Sequence, residues 1–199
     1  MTDRLTAQMS FLNEACRLKT VIRGTQLCDG SRYENSGEHS WHIALYAMTL
    51  GEHAPDDVDI SRVIQMLLLH DLVEIDAGDA PIFGDHDPDE MAAAEDAAAT
   101  RIFGLLPPDQ AAHFRTLWDE FEANDTADAQ FAKSLDRFQP PNQNLASGGA
   151  PGWITTPTTG PLKLVSVGKL KTGHLRFGNG SNRAPRIGLK PISNPFTFQ

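Results

Sequence analysis

Ile64-Gln65-Met66-Leu67-Leu68-Leu69-His70-Asp71 is the stretch on which the reading of the chain turns. A largely apolar segment that ends in an imidazole and a carboxylate has to aim both at something, because burying either group unpaired is costly. A divalent metal is the simplest partner. Two further ligand candidates strengthen that idea: His39 upstream, in Gly37-Glu38-His39-Ser40-Trp41, and Asp136 far downstream, in Ser134-Leu135-Asp136-Arg137. Two imidazoles and two carboxylates suit one divalent transition metal (Mn, Fe, Co or Zn) better than the all-oxygen shells of Ca or Mg. Water or substrate oxygens would complete the shell, leaving the open position that catalysis needs.

Residues four apart on a helix share a face, so Glu74 falls one turn beyond His70 and within reach of that site. Gly78-Asp79 follows at a turn, where glycine lets the backbone bend close. Spacing alone leaves plainer readings open. His70-Asp71 fits a bonded histidine beside an Asx-type cap, and Asp136 fits an ion pair with Arg137 or Lys133. Glu74 fits a solvated helix position, Asp79 an ordinary turn and Arg23 a surface cation. His42, three after His39, is either a rival ligand or a surface histidine, whereas His53, His86 and His113 sit in polar surroundings.

Outward from this stretch the first 139 residues read as helical. Leu5, Met9, Leu12 and Cys16 share one face of a helix over 5–22, with Phe11, Leu18 and Ile22 on another, so burial on more than one side is expected. A second helix over 38–52 places Trp41, Ile43, Ala44, Ala47, Met48 and Leu50 on a broad buried face. Asp57 or Asp59 caps a third helix that runs to about Ile75. Asp87-Pro88 opens a fourth, alanine-rich helix to about Leu105. Pro107-Pro108-Asp109 restarts a helix through Phe121, and residues 126–138 make one more. No strand-like alternation stands out. The expected fold is all-α, a bundle of about six helices.

Charge divides the chain. Its 17 basic and 26 acidic side chains give a net charge of -9, which argues against a nucleic-acid backbone or an anionic membrane as the main partner. Residues 140–199 hold seven Lys/Arg, no acid, eight of 13 prolines and nine of 16 glycines, leaving no room for an ordinary helix. Two parts follow: residues 1–145 as a folded domain and 146–199 as an atypical basic tail, disordered or loosely packed. Cys16 and Cys28 form neither a disulfide framework nor a ligand pattern, no signal peptide is evident, and no apolar run is long enough to span a bilayer. These points suggest a cytoplasmic protein.

The order Arg23, Glu34-Asn35, Glu38-His39-Ser40-Trp41, His70-Asp71-Leu72-Val73-Glu74, Gly78-Asp79-Ala80-Pro81 and Leu135-Asp136-Arg137 resembles the HD-domain phosphohydrolases, specifically their 5'-deoxynucleotidase-like branch. The similarity covers about residues 5–145. It implies an all-helical, metal-dependent hydrolase of nucleoside monophosphates, commonly a homodimer. Carried over, it makes His39, His70, Asp71 and Asp136 the ligands of one divalent ion. Glu74 and Asp79 become the catalytic acids that act on water and leaving group, and Arg23 the arginine of the substrate pocket. The alternatives are a phosphohydrolase of another phosphomonoester or of a nucleotide polyphosphate, or a helical scaffold protein with a structural metal or none.

Two departures stand out. Gly24 occupies the position where the related nucleotidase carries a tryptophan beside the sugar, so preference for deoxyribose does not carry over. Relatives also continue past the last metal aspartate with an acidic helical segment. Here the acids vanish abruptly, which suggests a shift of reading frame near residues 149–152.

Overall fold

Asn35 begins the helix that carries His39. Its side chain accepts from the Glu38 backbone N–H at 3.0 Å, and the Glu38 carboxylate accepts from the Asn35 N–H at 3.1 Å. This reciprocal capping box, with a full turn of helix after it, fixes where residue 39 points. The computed structural model describes residues 3–79 and 87–147. Within them lie α1 (Arg4–Ala15), α2 (Ser36–Leu50), α3 (Ile60–Leu69), the single turn α4 (Glu74–Ala77), α5 (Pro88–Phe103), α6 (Pro108–Ala123) and α7 (Ala127–Ala146). The six long ones form the expected all-α bundle.

Helix α3 lies against α2, α6 and α7, and its Val63, Met66 and Leu67 are fully buried. Of the two candidate caps it is Asp59 that starts it, accepting from the Ser61 and Arg62 N–H groups. Ile43 and Ala47 of α2, Ile102 and Phe103 of α5, Leu117 and Phe121 of α6, and Phe131 and Leu135 of α7 complete the core. Helix α1 is fastened from outside by the Arg4–Asp109 bidentate pair and by Phe11 edge-on to Phe114.

The structure corrects four local expectations. The first helix stops at Ala15, and a 3₁₀ turn (Cys16–Thr20) leads into a hairpin of β1 (Ile22–Gln26) and β2 (Tyr33–Asn35), paired antiparallel with one register irregularity. Thr20-Val21-Ile22 is a β-branched run, which is crowded in a helix and comfortable in a strand. Secondly, Leu5, Met9 and Leu12 on α1 and Trp41 and Met48 on α2 are exposed rather than buried, and Leu45 lies exposed between the last two. Thirdly, α3 ends at Leu69, and His70–Val73 form a 3₁₀ turn before α4, so His70 and Glu74 do not stand on one continuous α-helix.

Fourthly, the last helix does not stop at residue 138. It runs through Pro140 and Pro141 to Ala146, although each proline forfeits a helical hydrogen bond and crowds the carbonyl four residues earlier. Tertiary contacts hold this last stretch. Gln143 is buried and donates to the Gln26 carbonyl at 2.9 Å, and Asn142 donates to the Tyr46 hydroxyl at 2.6 Å. α7 ends at Ala146. Beyond Ser147, the expected basic tail and its frame shift lie outside the described residues.

Candidate metal centre

Three elements far apart in sequence bring ligand atoms together. His39 comes from the second turn of α2, His70 from the start of the 3₁₀ turn after α3, and Asp136 from the middle of α7. Their ligand atoms lie within 4.8 Å of one another. His39 Nε2 is 2.9 Å and His70 Nε2 3.8 Å from the same oxygen, Asp136 Oδ1. Both imidazoles are buried, and Asp136 is about one-quarter exposed at 26%, which leaves an approach from one side.

The donor set fits a divalent metal on an observation internal to the site. His70 Nδ1 donates to the Leu67 carbonyl at 2.9 Å. That bond leaves Nε2 as the lone-pair nitrogen, and Nε2 is buried with no hydrogen-bond partner. It approaches Asp71 Oδ1 to 2.8 Å without hydrogen-bond geometry. A lone pair beside carboxylate oxygens calls for a cation between them. A proton is the only cation these residues can supply themselves. Burial alone would lower the His70 pKa, but the Asp71 and Asp136 carboxylates raise it well above the usual histidine value. Asp136 is opposed by burial yet held far below the usual carboxylate range by the hydrogen bond from His39 and by the nearby His70 imidazole.

Asp71 stands at the edge of this group. Burial opposes its charge, while His70 and Arg23 lower its pKa, and Arg23 Nη1 donates to its Oδ2 at 3.1 Å. Arg23, on β1, also lies 3.6 Å from Glu74 Oε1 and 3.7 Å from Glu34 Oε1. The guanidinium is thus enclosed by acids from β2, the 3₁₀ turn and α4. Glu74 is partly buried, and Ser36 Oγ donates to it at 2.5 Å. Burial and the neighbouring Asp71 charge push the Glu74 pKa up to about 8, against the lowering effects of Ser36 and Arg23.

Gly78, with φ of 79°, ends α4 in a conformation that favours glycine. Burial raises the pKa of Asp79, which follows it; Arg23 opposes that rise and Asp71 adds to it. The structure therefore gathers all seven expected residues, with His39, His70 and Asp136 as the tight cluster. His42 is not in that cluster; its Nδ1 meets Gln139 Nε2 at 3.2 Å instead.

Three neighbours carry no assignment from sequence. Ser36 binds Glu74, Glu34 faces Arg23, and Gln139 Oε1 lies 3.1 Å from His39 Nδ1. The spacing Asp136, Gln139, Gln143 was a signal for the last, since three and seven residues return to one helix face. It is hidden by reading Pro140-Pro141 as a helix end.

Known proteins are similar to this chain. A family profile described as an HD domain matches residues 15–152. A crystal structure of a predicted metal-dependent phosphohydrolase from Magnetospirillum magnetotacticum MS-1 is 55% identical, with a TM-score of 0.68, covering 72% of this chain and 74% of that one. The human 5'-deoxynucleotidase HDDC2 is 30% identical over 132 residues, 66% of this chain and 63% of its own length, and the Bos taurus protein is 30% identical over 133. The chain thus spans 63% of the length of these two relatives. A conserved hypothetical protein from Pyrococcus furiosus, 20% identical with a TM-score of 0.53 over 69% of this chain and 80% of that one, shares the fold. The chain belongs to the HD-domain family of metal-dependent phosphohydrolases. Within it, the chain is related to the HDDC2 branch.

The Glu74 shift has a consequence for stability. A carboxyl whose folded pKa exceeds its unfolded value contributes stability that is fully present below about pH 4.5 and is lost as pH rises toward about 8. In metal-stripped protein, Glu74→Gln should therefore melt several degrees above wild type at pH 8.5 and close to wild type at pH 5. Thermal melts followed by circular dichroism at the two pH values check this. An equal difference at both would show that Glu74 is not held neutral by burial.

Proposed function

We propose that this protein hydrolyses nucleoside 5'-monophosphates, ribo- or deoxyribo-, to nucleoside and orthophosphate. The reading rests on one arrangement: a buried His/His/Asp cluster flanked by a guanidinium and by a carboxyl whose pKa is raised to about 8. Its relatives bearing the name 5'-deoxynucleotidase support the choice of substrate.

His39, His70 and Asp136 would hold the divalent ion, with Asp71 as a fourth ligand. Mn, Co, Fe and Zn all suit this donor set. Once bound, the ion supplies Lewis-acid chemistry, drawing charge from a phosphoryl oxygen and acidifying water. Arg23 offers its planar fork of donors to the phosphate, and the surrounding acids keep that fork charged: burial would lower the Arg23 pKa, but Asp71, Glu74, Asp79 and Asp136 raise it. Glu74 positions the attacking water and takes its proton, with Ser36 holding the carboxyl in place. Asp79, whose pKa burial raises, delivers a proton to the leaving ester oxygen. The phosphorus–oxygen ester bond breaks as water oxygen joins phosphorus, and R–OH leaves. Gly24 exposes no side chain beside Arg23, and its Cβ position is open space, so the sugar site is less shaped and both sugars are accommodated.

We also propose a homodimer in the cytoplasm, with no nucleic-acid partner. The exposed Trp41–Leu45–Met48 stripe supplies the apolar face that a second copy would cover. No described helix is long and apolar enough to cross a membrane. The basic tail, residues 146–199, fits a shift of reading frame near residues 149–152, since no acid follows Asp136 in a chain otherwise rich in them. Resequencing the coding DNA checks that point, and an intact frame with no acidic alternative would sink it.

Orthophosphate release should appear from a panel of nucleoside monophosphates when metal-stripped protein is refilled with one of Mn, Co, Fe or Zn. His70→Ala and Glu74→Ala should each abolish it. Turnover that survives either variant, or release of pyrophosphate from triphosphates alone, would redirect the assignment. For the assembly, light scattering after size exclusion should give twice the chain mass for wild type and the single mass for Met48→Glu. A monomeric wild type would remove the dimer from the proposal.

A further inference from the structure

We infer that Glu34 sets the tautomer of His39 through the side-chain amide of Gln139, so that Glu34 and Gln139 are positioning residues for the metal centre. This rests on reading His39 as a ligand. A carboxylate accepts hydrogen bonds and donates none. Glu34 Oε2 lies 3.2 Å from Gln139 Nε2 and 2.8 Å from Gln143 Nε2, so both amides must turn their N–H groups toward it. Gln143 Nε2 also donates to the Gln26 carbonyl at 2.9 Å, another acceptor. Its Oε1 is then left to accept from Gln139 Nε2 at 2.7 Å.

With its nitrogen side committed to Glu34, Gln143 and the nearby His42 ring, Gln139 can present only Oε1 to His39. That oxygen lies 3.1 Å from His39 Nδ1, and an amide oxygen only accepts. Nδ1 must therefore carry hydrogen, which leaves Nε2, the nitrogen hydrogen-bonded to Asp136 Oδ1 at 2.9 Å in the metal-free chain, as the one that can turn a lone pair to an ion that replaces that bond. A reversed Gln139 would put the tautomeric proton on Nε2 and remove it as a ligand. Glu34, His39, Gln139 and Gln143 are all buried, so no bulk water is at hand to satisfy a reversed amide. Partners of this kind fix ring orientation and raise ligand basicity, and losing one weakens metal binding about 10–100-fold.

The test uses two readouts on the full chain. In metal-free protein, nitrogen-15 histidine NMR should show a protected Nδ1–H resonance for His39 that disappears in Gln139→Leu. In calorimetric titration with Zn²⁺, wild type should bind one ion per chain and His70→Ala none at this site. Glu34→Gln and Gln139→Leu should each bind about 10–100-fold more weakly, and their combination no more weakly than the worse single change. The swapped pair Glu34→Gln with Gln139→Glu should regain affinity to within a few-fold, because a carboxylate then faces Nδ1 and an amide faces that carboxylate. The inference is overturned if Glu34→Gln keeps both affinity and resonance, or if the swapped pair binds no better than Glu34→Gln alone. Zn²⁺ binding that survives His70→Ala would instead count against the metal centre itself, while the Nδ1–H resonance still decides whether the amide holds the ring.

Discussion

Everything in this molecule is arranged around a buried excess of negative charge. Glu34, Asp71, Glu74 and Asp136 converge on one region, with Arg23 as their fixed cation and His70 able to take up a proton. Taking carboxylates out of water is costly, and their mutual repulsion grows as the local dielectric falls. Protons on His70 and Glu74 are the answer available to the side chains alone, which is why both groups have raised pKa values. A divalent ion answers the same need with more charge in one place. Metal affinity and the perturbed titrations are thus two expressions of one electrostatic imbalance.

That imbalance explains features that local preference does not. Two consecutive prolines inside α7 oppose helix continuation, yet stopping the chain there would leave Glu34 without Gln143 and the β1 end without its contact to α7. The hairpin is short and would be marginal alone. It persists because β1 carries Arg23 and β2 carries Glu34, and these two charges tie it to the 3₁₀ turn and to α7. Helix, hairpin and turn are each weak alone and are held by the same buried polar centre.

Much of this was legible in the sequence, for identifiable reasons. The six helices follow from period and caps: Asp59 and Asp87 each accept from the first-turn backbone of the helix they open. His39, His70 and Asp136 were legible because an apolar segment ending in His-Asp demands a partner, and the motif order named the rest. What remained hidden depended on tertiary context. The hairpin is too brief for alternation to register, and α7 overrides its prolines by contacts 96 to 117 residues away in sequence. The exposed faces of α1 and α2 carry the same periodicity as buried ones, because periodicity identifies an apolar stripe and not what covers it.

The net charge of -9 is therefore a poor guide to what the site can accept. Screening limits the reach of surface charge to about 8 Å at physiological ionic strength, so the acidic exterior slows the encounter with an anion more than it weakens binding once inside. Within the pocket the relevant field is set by Arg23, held charged by the acids around it, and by whatever cation the His/His/Asp cluster retains. Glu34, Asp71, Glu74, Asp79 and Asp136, a few of the acids that make the protein negative, are the ones that hold those cations in place. An acidic chain can thus build a site for an anion without a basic patch, by making the positive charge local, buried and fixed in direction.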